Sequence, residues 1–321
     1  MRNKGTAVVC MLLAGAIAQA MTFTDWSQAV NVETIPGTSV EFNTPSQDGC
    51  PAPSRDGLEL YMASNRPGSQ GLDIWVSHRE STDDAWGAPE PLTAPINTGY
   101  DEFCPTPLRN GHGLLFVSTR PAPCGPQSAA NSDIYVAFQH PSTGQWKTPV
   151  HLGCGVNSAA GEASPSLVEY DDGRAELYFS STRPGGFVAD PAGSLAGDSD
   201  IYVSEVLPDG TLADPVLADG LNTDMNDFRP NLRRDGLEIV FDSNRPGGLG
   251  GLDIWSATRE HATHAWSLPV NAGSNVNSGA NETRPFLSWA ATALYFGTNR
   301  TGVEGVVDIF VATRAKAHGQ P

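Results

Sequence analysis

One phrase recurs five times along this chain, and no other feature limits its fold so sharply. The copies are Met62-Ala-Ser-Asn-Arg66 with Asp73-Ile-Trp75, Val117-Ser-Thr-Arg120 with Asp133-Ile-Tyr135, Phe179-Ser-Ser-Thr-Arg183 with Asp200-Ile-Tyr202, Phe241-Asp-Ser-Asn-Arg245 with Asp253-Ile-Trp255, and Phe296-Gly-Thr-Asn-Arg300 with Asp308-Ile-Phe310. The arginines stand 54, 63, 62 and 55 residues apart. A second phrase precedes each copy: an Asn, an acid five residues on and a Pro eight residues on. Its members are Asn43/Asp48/Pro51, Asn97/Glu102/Pro105, Asn157/Glu162/Pro165, Asn222/Asp227/Pro230 and Asn277/Glu282/Pro285. Two phrases in strict alternation mark a repeat architecture, in which each unit buries its apolar face against its neighbours.

Within a unit the pattern is that of short strands. In the first, segments 50–54, 59–63 and 74–77 read as three strands and 86–92 as a weak fourth. Asp56-Gly57, Asn110-Gly111, Asp172-Gly173 and Asp235-Gly236 join strands one and two as tight hairpins, because Gly accepts the left-handed backbone such turns demand. No segment keeps a helical period. Four antiparallel strands repeated radially predict an all-β fold, a five-bladed β-propeller. The fifth unit ends soon after its third strand, at Arg314, whereas Trp26-Ser-Gln-Ala-Val-Asn31 near the start matches Trp266-Ser-Leu-Pro-Val-Asn271. The N-terminal strand should therefore complete blade five and close the ring, removing two open sheet edges. Trp26, Trp86, Trp146 and Trp266 recur at one place in the repeat, which reads as packing.

Residues 1–20 have a basic start, an apolar stretch and a small-x-small end, Ala18-Gln19-Ala20, the grammar of a cleaved secretory signal; residues 21–321 form the propeller. A periplasmic or secreted product follows. The formal charge of −17 disfavours nucleic acid and anionic membrane surfaces as partners. Four cysteines remain beyond the leader, enough for two disulfides in an oxidising compartment. There is no zinc-spaced Cys/His cluster, no HExxH, no GxSxG, no P-loop and no dinucleotide fingerprint. Neither metal nor cofactor is expected.

Ser-x-Arg-Pro-Gly-Gly followed by Asp-Ile-Tyr resembles the WD40-like β-propeller repeat found in TolB and in bacterial envelope proteins. The resemblance spans essentially the whole chain after the leader. It implies a periplasmic scaffold or binding module, although some related propellers are enzymes.

In a four-stranded blade the loop from strand two to strand three shares a face with the loop entering strand one. That upper face should carry the Arg, the Asp and the acid of every unit. The acids Asp48, Glu102, Glu162, Asp227 and Glu282 form either a ring of ligand-binding carboxylates at the channel mouth or structural partners of Arg66, Arg120, Arg183, Arg245 and Arg300. In the structural reading each Arg also meets its unit's Asp73, Asp133, Asp200, Asp253 or Asp308. Two residues beyond the acids stand Cys50, Cys104, Ser164, Arg229 and Arg284, which break the symmetry. Arg229 and Arg284 side by side suit a carboxylate or another anion, or else pair with Asp227 and Glu282. Loops 121–132 and 184–199 are longer than their counterparts and are candidates for binding specificity. The propeller frame pairs Cys124 with Cys154 and Cys50 with Cys104. Together these features point to a monomeric module binding a protein, a small molecule or a carbohydrate on the upper face. The alternative is a carbohydrate-active enzyme, a glycoside hydrolase or polysaccharide lyase, at the same channel mouth.

Overall fold

A computed structural model describes residues 22–124, 131–187 and 199–317. Residues 1–20, read from the sequence as a cleaved signal, lie outside the described residues. Five four-stranded antiparallel sheets are arranged as blades around an axis. Blade one consists of Asp48–Pro53, Glu59–Ser64, Asp73–His78 and Glu90–Pro91, in that order from the axis outward. Blades two to four repeat this order. Blade five takes Glu282–Leu287, Ala293–Thr298 and Asp308–Thr313 from the C-terminal end and Val30–Asn31 from the N-terminal end. The closure expected from the Trp26/Trp266 match is thus present, with Val30 opposite Val311 and Asn31 opposite Phe310. Beyond it, Thr22–Phe23 pairs with Lys316–Ala317. Helix among the described residues is confined to Val32–Thr34 (3-10) and Gly153–Val156.

The apolar faces of the strands meet between blades, giving one core cluster per blade interface. Met62, Phe116, Phe179, Phe241 and Phe296, one per blade, are fully buried there. On the outer strands the tryptophans pack as expected, with an added contact. The Arg closing strand three lies over the indole: Arg79 over Trp86 at 4.1 Å, Arg259 over Trp266 at 4.2 Å and Arg314 over Trp26 at 4.2 Å. Arg314 also grips Glu238 of blade four with two bonds of 2.8 and 2.6 Å, tying the last blade to its neighbour.

Every innermost strand contains a register break, from Gly49/Ala52 in blade one to Thr283/Phe286 in blade five. The residue inside each break is Cys50, Cys104, Ser164, Arg229 or Arg284, with φ between 46° and 56°. Non-glycine residues occupy this left-handed region at a cost, and a bulge of this kind re-aims side chains. Here it turns the five symmetry-breaking side chains toward the axis.

Candidate ligand site at the propeller axis

The five acids start the innermost strands, and none of their surface is exposed. Each meets its own blade's Arg: Asp48–Arg66 at 2.6 Å, Glu102–Arg120 at 3.1 Å, Glu162–Arg183 at 3.2 Å and Glu282–Arg300 at 3.0 Å, with Asp227–Arg245 in contact likewise. The second oxygen accepts from the backbone N–H of the Thr or Ser that follows the repeat Asn, as in Thr44 to Asp48 at 2.6 Å and Ser278 to Glu282 at 2.8 Å. The same arginine Nη2 that meets the acid also donates to a backbone carbonyl, Phe42 for Arg66 and Ile96 for Arg120. These acids are locked into the blade walls, so a ring of ligand-binding carboxylates at the mouth is not what the fold builds.

The Asp that opens strand three has other partners than expected. In blades one, two, four and five no ion pair joins it to the repeat Arg among the described residues. Asp73 accepts from the Gln70 N–H at 3.3 Å, Asp253 from Leu249 and Gly250, and Asp308 from Glu304 at 3.0 Å. Asp133 lies 3.5 Å from His151. In blade three Asp200 accepts from the Phe187 N–H at 2.9 Å. In blades one, three, four and five the Asp therefore shapes the loop between strands two and three, in blade two it meets the outer-strand His151, and the Arg serves the acid throughout. The repeat Asn has an equally structural duty. Its amide bonds both the N–H and the C=O of the Ile in the preceding unit's strand three, as in Asn97 to Ile74 at 2.8 and 2.9 Å. One side chain thus imitates a strand's hydrogen bonding and fastens each blade to the next loop.

With the repeated charges accounted for, the functional candidates are the side chains the bulges turn inward. Cys50 and Cys104 are joined in a disulfide across neighbouring inner strands, and Cys124 is joined to Cys154. Both bonds match the pairing expected from the propeller frame. On the remaining arc stand Ser164, Arg229 and Arg284. Neither arginine pairs with Asp227 or Glu282, which are already engaged. Both converge on Asp242: the Arg229 Nη1 donates to Asp242 Oδ2 at 2.5 Å, and the Arg284 backbone N–H donates to Asp242 Oδ1 at 2.9 Å. Asp242 is fully buried and is specific to blade four. Its counterparts are Ala63, Val117, Ser180 and Gly297.

One carboxylate therefore faces two guanidiniums. Desolvation, reinforced by Arg229, pulls the pKa of Arg284 down to about 9, which leaves it charged at neutral pH but poorly compensated. Burial also raises the Asp242 carboxyl above its usual range, against the pull of Arg229. Among the described residues the Arg284 guanidinium has one hydrogen bond, to the Thr283 hydroxyl at 3.4 Å, and its Nε has no acceptor. The Ser164 hydroxyl likewise has no partner there. The axial cavity these groups line holds only about 30 Å³, room for a water or two or the tip of a ligand. Most of loop 184–199 and the middle of loop 121–132 lie outside the described residues, so these two candidates stay expectations.

No family model matches the chain, and no curated protein matches it. Solved structures do. A thermostable family-43 glycoside hydrolase superposes with a TM-score of 0.58 at 14% identity, over 88% of this chain and 93% of that one. An alpha-L-arabinofuranosidase from Lactobacillus brevis follows at 0.53 and 12%, over 88% and 95%. TolB from Acinetobacter baumannii aligns at 0.47 and 16%, over 83% of this chain and 53% of its own. At these identities the likeness is one of fold.

Proposed function

We propose that this chain is a binding module that captures a carboxylate or comparable anion at the upper mouth of its channel, presented by a small molecule or by a partner protein. One observation carries the reading: Ser164, Arg229 and Arg284 form an arc of hydrogen-bond donors around the axis with only the buried Asp242 to balance two positive charges. An incoming carboxylate would supply the missing charge and accept from donors that lack protein partners. The repeat phrases support a WD40-like, TolB-type identity for the module. Two disulfides and the leader-like N-terminus support a periplasmic or secreted location. The acidic surface speaks against nucleic acid and anionic lipid, and we take the module to act as a monomer.

The fold likeness to glycoside hydrolases favours a second reading, a carbohydrate-active enzyme. Glycoside hydrolysis ordinarily needs two carboxyl groups flanking the scissile bond, about 5 to 9.5 Å apart. The acids nearest the axis are instead buried beneath arginines, and the cavity is far smaller than a sugar ring. Binding is therefore the better-supported reading. Calorimetric titration with succinate and citrate, beside a reducing-sugar assay on arabino- and xylo-oligosaccharides, separates the two. Carboxylate binding without sugar release is expected. Sugar release that survives Arg284→Met would overturn the proposal.

A further inference from the structure

The opposite end of the channel carries a cluster that the upper-mouth reading does not use. The hairpins between strands one and two converge on the lower face, and the residue just before the turn is Arg55, Arg109, Asp171, Arg234 and Trp289 in blades one to five. All three guanidiniums gather about the one indole, at 5.1, 5.8 and 5.9 Å from its centre. The arginines are exposed, whereas Trp289 is half-buried. Arg55 donates to the Arg109 carbonyl and Arg109 to the Glu169 carbonyl, each at 3.2 Å, so two of the side chains are held in place by backbone. The sole carboxylate within ion-pair reach of the three, among the described residues, is the exposed Asp171, 4.0 Å from Arg109. In a chain of net charge −17, most arginines are consumed by acids; here three gather with one ion pair, of 4.0 Å, among the described residues. Like charges brought together cost free energy unless an anion is bound between them.

Beside the cluster lies a cavity of about 280 Å³, lined by Arg109, Arg234 and Trp289 together with Glu169, Asp171 and Asp235. Its size suits a one- or two-ring ligand. Its lining asks for a molecule with a carboxylate for the arginines, hydroxyl donors for the acids and a flat apolar face for the indole. An acidic peptide offers carboxylates but lacks the row of hydroxyl donors that the acids can accept from. A sugar acid offers all three features.

We propose that the lower mouth is a second binding site, distinct from the upper one, for a uronate residue of an acidic oligosaccharide. Its carboxylate sits between Arg109 and Arg234, its hydroxyls on the acidic rim and its ring against Trp289.

The test is calorimetric titration of the full chain carrying Arg284→Met, which disables the upper-mouth site, with tri-galacturonate, galacturonate, a neutral galactose trisaccharide and tri-glutamate. The proposal expects the uronates to bind and the neutral sugar and the peptide to bind at least tenfold more weakly. Arg109→Met with Arg234→Met should lose tenfold or more in affinity at an unchanged melting temperature, because both side chains are exposed. Trp289→Phe should weaken binding less, and serves as a second variant in a folded protein. Equal binding of the neutral trisaccharide or of tri-glutamate overturns the proposal. So does full affinity in the double variant. Uronate binding seen in the parent chain but lost in the Arg284→Met chain would place the ligand at the upper mouth and overturn the lower site, while the upper-mouth reading stands.

Discussion

Replacing Arg245 by Ala tests the physical basis of the repeated Arg–acid pairs. Arg245 is 8% exposed and Asp227 is not exposed at all. The guanidinium touches Asp227, donates to the Leu221 carbonyl at 2.5 Å and to the Ser243 hydroxyl at 3.1 Å, and lies over Phe241 and Trp255. Truncation strands a buried carboxylate whose remaining donors are the Thr223 N–H and hydroxyl. Breaking a buried pair from one side costs about 3 to 5 kcal/mol. Exposed pairs contribute about 0 to 1 kcal/mol, so the two cases are well separated. For a chain of this size the loss should appear as a fall in melting temperature of roughly 5 to 8 °C. Urea unfolding followed by circular dichroism would measure it directly. Adding Asp227→Asn to the Arg245→Ala background should recover part of the loss, because a neutral amide needs no counter-charge. A cost under about 1 kcal/mol, or no recovery in the double variant, would refute the assignment of these pairs to the buried frame.

Deleting residues 21–32 removes the outer strand of blade five and the Trp26–Arg314 contact, and should lower the melting temperature sharply; a deletion variant as stable as the parent would contradict closure by the N-terminal strand. Glu33 has its pKa raised to about 7, first by burial and then by Glu304, Asp308 and Asp48. A carboxyl raised from about 4.5 to about 7 favours the folded state below the lower value, and that contribution is lost as pH rises through the higher one. Glu33→Gln should therefore flatten the pH dependence of melting between these limits, and an unchanged profile would count against it. Peptide mapping without reduction should recover Cys50 linked to Cys104 and Cys124 to Cys154, and a crossed linkage would break the blade register.

The blades, their closure and both disulfides were legible in the sequence because the chain spells the same local chemistry five times. Offsets between copies then locate equivalent positions. The Arg–acid pair was legible for the same reason. The partners of the strand-three Asp were not, because Asp73, Asp253 and Asp308 are held by backbone N–H groups, which leave no mark in a sequence. Arg229 and Arg284 stood out as departures from the repeat, but their partner Asp242 did not. It occupies a mid-strand position beside Ala, Val, Ser and Gly counterparts, and only the bulge in the neighbouring strand brings the two arginines onto it. The burial of the five acids agrees with the structural one of the two readings, since a charge between sheets must be paired. On the lower face Arg55, Arg109 and Arg234 come from different blades, and that Trp289 of blade five lies among them is a product of ring closure, which no local pattern spells out.

The central claim is that the axis presents arginines to an anion rather than carboxylates to a sugar. Nitrogen-15 NMR of the arginine side chains, with Arg284 assigned through Arg284→Lys, tests it most directly. The account predicts that the Arg284 guanidinium signals shift and their exchange slows on addition of succinate, and stay fixed in neutral arabinose or xylose. Arg284 signals indifferent to carboxylates, in a protein that perturbs them on binding or cleaving a neutral sugar, would contradict it.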